Sequence, residues 1–112
     1  MDFIINQQNG TAIVKTNVDK LNAGNASELK AELVLLNKGS INNIVIDMSK
    51  TKYCDSSGLS AILVANRLCK DTNGKFVLCG LNDNVSKLIS IAQLDKVFTI
   101  TASESEALEA IK

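Results

Sequence analysis

The residues with the most chemical capacity in this chain are consecutive: Asp55-Ser56-Ser57-Gly58-Leu59. They offer one carboxylate, two hydroxyls and a position without a Cβ, between an apolar run and a largely apolar helical pattern. At such a junction Asp55 or Ser56 can cap the helix by accepting a hydrogen bond from a free N–H. Ser57 then falls in the first turn, near the surface. Gly58 costs about 0.8–1.0 kcal/mol against Ala in a helix interior, and less near the first turn. Its missing Cβ leaves room for another backbone or a ligand to approach Ser57. Taken by itself, the string also reads as an ordinary helix start.

Several chemistries are excluded around these hydroxyls. The chain has no His, so it cannot build a Ser-His-Asp triad, a Cys-His pair or an imidazole metal site. The serines do not stand in a Gly-x-Ser-x-Gly elbow. A P-loop, Gly-x4-Gly-Lys-Ser/Thr, is absent as well. Cys54, Cys69 and Cys79 are an odd number with no Cys-x-x-Cys spacing. They read as free thiols in a reducing cytoplasm, serving as small core hydrophobes. Asp47 is expected to accept hydrogen bonds from loop N–H groups, a structural role. Tyr53 either packs at a sheet edge or anchors an interface. Lys50 and Lys52 read as a solvated loop that can also steer an acidic surface.

The elements that must position this segment follow from periodicity. Phe3-Ile4-Ile5-Asn6-Gln7 and Thr11-Ala12-Ile13-Val14-Lys15 flank Asn9-Gly10, a pair that accepts positive φ, and predict a β-hairpin. Residues 16–25 are polar. A helix is expected from near Asn25, with Glu28 completing a capping box. Ala26, Leu29, Leu33 and Leu36 share its apolar face, and Gly39 is expected as a left-handed cap. Residues 43–48 form a strand whose continuous apolar centre implies burial on both faces. After a loop over 49–55, a helix runs over 56–71, and Asn73-Gly74 ends it. Residues 75–80 form another strand. Asp83 is expected to cap a third helix, where Val85, Leu88, Ile89 and Ala92 line one face. A short strand over 97–100 follows. Ser103 and Glu106 then open a last helix carrying Ala107, Leu108 and Ile111.

The order β-β-α-β-α-β-α-β-α predicts an α/β fold with right-handed crossovers. It is a mixed, mainly parallel sheet with an N-terminal hairpin and about four helices. The 112 residues bury about 65% of the unfolded chain's surface on folding, enough for one core, so residues 1–112 are expected to form one domain. Apolar residues make up 46% and charged residues 21%, which predicts a chain that folds throughout. Twelve basic residues balance twelve acidic ones, which argues against nonspecific nucleic-acid binding. No apolar run reaches the roughly 18 residues of a membrane span. The start, Met1-Asp2-Phe3, lacks the features of a signal peptide, so a cytoplasmic location is expected.

In this element order, Asp55-Ser56-Ser57-Gly58-Leu59 between a buried strand and an apolar helix resembles the STAS domain of bacterial anti-sigma factor antagonists. The resemblance runs from the hairpin to the last helix and includes residues 21–33, where the family has a leucine followed by a capped helix. It implies that Ser57 is phosphorylated by a partner that is both anti-sigma factor and serine kinase. The unmodified antagonist binds that partner and frees the sigma factor. Phosphorylation breaks the complex, and a separate serine phosphatase restores it. Asp55 positions the segment and Gly58 allows close docking. The partner-binding set is then Asp55, Ser56, Ser57, Gly58 and Leu59, with Asp19, Leu21 and Asn22 as a second surface. Here the chain departs from the family, which often has a glycine before this region and an aspartate after the leucine. It has Val18 and Asp19 ahead of Lys20, and Asn22 after Leu21. A solvated helix start is the competing reading of this second surface. Ser60 replaces a second glycine of many members. No cofactor and no catalysis are implied for this chain, since ATP belongs to the kinase. A monomer and a weak dimer both remain open. The resemblance also admits a regulatory subunit of a lipid or anion transport system, or of a stress-signalling complex. Outside the family, an enzyme or nucleotide-binding domain using the strand-to-helix turn as an anion site is the other reading.

Overall fold

The computed structural model describes residues 2–112. Strands β1 (Phe3–Gln8) and β2 (Thr11–Thr16) pair antiparallel, Phe3 opposite Thr16 and Gln8 opposite Thr11. Asn9 and Gly10 take φ of 51° and 79°, the left-handed values that a two-residue hairpin turn with right-handed strand twist requires. Strands β4 (Asn43–Asp47), β6 (Phe76–Cys79) and β7 (Thr99–Thr101) then add in parallel, giving the order β1-β2-β4-β6-β7.

Alternate residues of the central strands feed two interiors. Ala12, Val14, Ile44, Ile46, Phe76 and Leu78 join the larger core with α1 (Ala26–Lys38), α2 (Ser56–Asp71) and α3 (Asp83–Ile91). Ile13, Val45, Val77 and Cys79 meet Ala107, Leu108 and Ile111 of α4 (Glu104–Ile111) in the smaller one. Burial on both faces explains why β4 and β6 read as unbroken apolar runs. Phe98 closes the larger core edge-on against Phe76, with ring centroids 5.6 Å apart.

Two further strands lie inside the polar stretch 16–25 and the expected loop 49–55. β3 (Lys20–Leu21) and β5 (Tyr53–Cys54) pair in parallel as a separate two-stranded sheet. Each is two residues long, too short for any periodic signal, and each forms only because the other lies beside it. Four boundary expectations are also corrected. Asn25 precedes α1 but makes no side-chain cap, so the box with Glu28 does not form. Gly39 sits at φ −82°, and Ser40 takes the left-handed turn at φ 71°. Asn82, not Asp83, caps α3, its Oδ1 accepting from the Val85 N–H at 3.0 Å. The last strand is Thr99–Thr101 rather than 97–100, because Phe98 is drawn into the core. The hydroxyl of Ser103 accepts from the Glu106 N–H at 3.3 Å as expected.

Candidate functional site

The site is built where two loops leave the sheet together. At the end of β4, Asp47 Oδ1 accepts the Ser49 N–H at 2.9 Å, the loop contact expected of it. Burial opposes ionisation of this carboxyl. The hydrogen bond with Glu104, the Ser49 contacts and the Lys15 ammonium outweigh it and hold the pKa below the usual value. The following loop is fastened to the one after β2 through hydroxyls. Thr51 Oγ1 lies 2.7 Å from Val18 O and 3.2 Å from Thr16 O, and 2.6 Å from Thr16 Oγ1. The shortest carbonyl contact takes the Thr51 proton, so Thr16 donates to Thr51. Both threonines are fully buried, where an unmade hydrogen bond is costly. Nothing in the sequence singles this pair out.

Backbone bonds continue the junction. Lys52 N–H and Tyr53 N–H both donate to Asp19 O, at 2.8 and 3.2 Å, and Asp55 N–H donates to Leu21 O at 3.1 Å. The segment 19–22 therefore lies directly beside 52–55. Asp19 is exposed and pairs loosely with Lys52 at 3.9 Å. Lys50 is exposed. Tyr53 keeps half its surface in solvent, with the Lys20 ammonium 5.8 Å from its ring centre.

Helix α2 begins immediately after. Asp55 has extended backbone, and its carboxylate accepts the Gly58 N–H at 3.0 Å, capping the helix. Asp55 and Ser56 are exposed and Ser57 is half-buried in the first turn. Gly58 lies against the neighbouring loop. A Cβ there would come within 2.5 Å of Cys54 Sγ and 2.7 Å of Leu21 O, so the absent side chain lets α2 close onto β3. Leu21 and Leu59 turn inward to the larger core. Asn22 is half-buried, its Oδ1 accepting from Gly24 N–H at 2.9 Å. The two groups of residues singled out in sequence thus form one continuous patch. Asp19, Asn22, Asp55, Ser56 and Ser57 face out, while Leu21, Gly58 and Leu59 form the layer beneath.

A hollow of about 330 Å³ opens beside Ser57. Ser56, Ser57 and Ser60 line one wall, and Ala23, Ala26, Ser27 and Lys30 the other. The α1 side of it was not foreseen. Its signal was present in small residues, Ala23 in the loop before α1 and Ala26 and Ser27 in its first turn, which leave that wall low.

All three cysteines are free thiols. Burial, with the Asp55 charge adding, pushes Cys54 up to about 11. Burial also raises Cys69 to about 11, and it raises Cys79 to about 12 with help from Asp47 and Glu104. Held as neutral thiols, they are poor nucleophiles and act as core residues. Among the described residues no cluster of His, Cys, Asp or Glu could hold a metal ion, and no helix is long and apolar enough to cross a membrane.

The mixed sheet and its four helices are the fold of a known class. The chain belongs to the STAS domain family, whose model matches residues 2–107. It is 30% identical over 93 residues to BtrV of Bordetella bronchiseptica, provisionally named an anti-sigma factor antagonist, covering 82% of this chain and 79% of BtrV. A Thermotoga maritima crystal structure with the same provisional name superposes with a TM-score of 0.90 at 26% identity. The match covers 97% of this chain and 93% of that one. The Bacillus cell fate determinant SpoIIAA in its phosphorylated form shares the fold at a TM-score of 0.77 and 18% identity. It covers 98% of this chain and 99% of its own.

Proposed function

We propose that residues 1–112 act as one cytoplasmic anti-sigma factor antagonist whose switch is the Ser57 hydroxyl. The unmodified patch of Asp19, Asn22, Asp55, Ser56 and Ser57 docks on an anti-sigma factor that is also a serine kinase. Leu21, Gly58 and Leu59 hold that patch flat from below. The kinase brings ATP. Ser57 Oγ attacks the γ-phosphorus, a new P–O bond forms, the bond to ADP breaks and the hydroxyl proton passes to a base of the kinase. A separate serine phosphatase hydrolyses the ester and resets the chain, which itself performs no catalysis.

The observation that carries this reading is the half-buried Ser57, lining an open hollow in the first turn of a helix whose start is fixed by the Asp55 cap. Membership of the STAS family and the names of its relatives support it. A phosphoryl group adds about −1.5 to −2 charges at neutral pH. Helix N–H groups tolerate that charge locally, so the domain stays folded. In an interface the same group must be desolvated next to Asp55. A hundredfold loss of affinity needs only about 2.7 kcal/mol.

The test is a pull-down with the wild-type chain, Ser57→Ala and Ser57→Asp, followed by phosphosite mapping. Wild type and Ser57→Ala are expected to retain a kinase, Ser57→Asp to lose it by about a hundredfold, and the phosphate to map to Ser57. Equal retention by all three, or a phosphate mapped elsewhere, would overturn the proposal.

A further inference from the structure

Building on Ser57 as the acceptor, we propose that its phosphate is held in the hollow between α1 and α2, with the Lys30 ammonium as its counter-ion. Of the residues lining that hollow, Lys30 alone carries a charge. It is half-buried. The ion pairs among the described residues use Lys15, Lys52 and Lys112, which leaves Lys30 without a carboxylate. The nearest acid in sequence to Ser57 is Asp55. Its carboxylate is engaged by the Gly58 N–H and does not line the hollow.

The remaining lining suits the same ligand. Ser27, Ser56 and Ser60 present hydroxyls that can donate to phosphate oxygens. Ala23, just before α1, and Ala26 at its start keep the opposite wall low, so an added group on Ser57 has room without displacing a large side chain. Lysine is a flexible point charge with three donors, able to meet a phosphate whose position is set by Ser57. The modification then completes an ion pair within the chain. It alters the docking face while leaving the helix packing beneath it in place.

The full chain carrying phosphoserine at position 57, inserted during translation, can be titrated by ³¹P NMR as wild type, Lys30→Met and Lys30→Arg. A nearby ammonium favours the dianion, so Lys30→Met is expected to raise the second phosphate pKa by about half a unit. Lys30→Arg should restore the lower value. Superimposable titrations of wild type and Lys30→Met would overturn the assignment. No kinase takes part in this measurement, so failure to capture a kinase would refute the partner reading and leave this result standing. Capture with flat titrations would do the reverse.

Discussion

Helices α1 and α2 start side by side, and Asn25 and Asp55 hold the same place before each. They use that place in opposite directions. Asp55 points forward, its carboxylate accepting from the Gly58 N–H inside its own helix. Asn25 points back into the preceding loop. Its Oδ1 accepts the Asn22 N–H at 3.0 Å, and its Nδ2 donates to Lys20 O at 2.8 Å. The first position needs only an acceptor, and the second needs an acceptor and a donor on one side chain. The residue types follow from those needs. The α2 start is thereby a fixed mount for Ser57. At α1 the same kind of side chain shapes the loop that carries Asp19 and Asn22.

The sharpest way to break this contrast is at Gly58. An added methyl would press on the backbone carbonyl of Leu21, which belongs to the other loop. Gly58→Ala is expected to destabilise by about 1–3 kcal/mol, read from urea unfolding, despite the better helix propensity of alanine. A gain in stability would show that the two loops are not tightly apposed. Exchanging the two caps gives a smaller effect. Asp55→Asn retains an acceptor and should stay within about 0.5 kcal/mol of wild type. Asn25→Asp loses its donor to Lys20 O and should cost about 0.5–1.5 kcal/mol. Equal costs in thermal or urea melts would erase the distinction.

The smallest effect concerns the start of α4, where Glu104 is an acid with an unfavourable neighbour. Its hydrogen bond with Asp47, and then burial, raise its pKa above the usual value. A raised carboxyl favours the folded state below its unfolded pKa and loses that contribution as pH rises through the folded one. Asp47, lowered, has the opposite sign: its contribution disappears as pH falls. Glu104→Gln cannot ionise, so its Tm relative to wild type should rise by roughly 2 °C between pH 4.5 and pH 7. An unchanged difference across that range would mean the two acids do not share a proton.

Much of the fold could be read from the residues because its signals are local and repeated. Asn9-Gly10 specified the hairpin, and the unbroken apolar runs at 44–46 and 76–79 specified strands buried twice over. Leu29, Leu33 and Leu36 marked the inner face of α1. Asp55 as a possible cap, with Ser57 in the first turn, followed from side-chain chemistry alone. What escaped was set by neighbours distant in sequence. β3 and β5 exist through each other. Thr16 and Thr51 acquire meaning only when 35 residues of separation collapse to a hydroxyl contact. Asn25 scored as a cap because its type suits one, yet the nearby Lys20 carbonyl and Asn22 N–H claimed it. Lys30 carries no signal in the sequence, and only the packing of α1 beside α2 brings it to the hollow that Ser57 lines.

The hydroxyl of Thr51 reaches carbonyls on one loop from a position on the other. That link ties their lengths together. A residue inserted in either segment would pull its threonine out of register, so the two can lengthen or shorten during evolution only in concert. Variation in partner choice among such proteins is therefore expected in the identity of outward-facing side chains, with the spacing from Thr16 to Leu21 and from Thr51 to Ser57 kept constant.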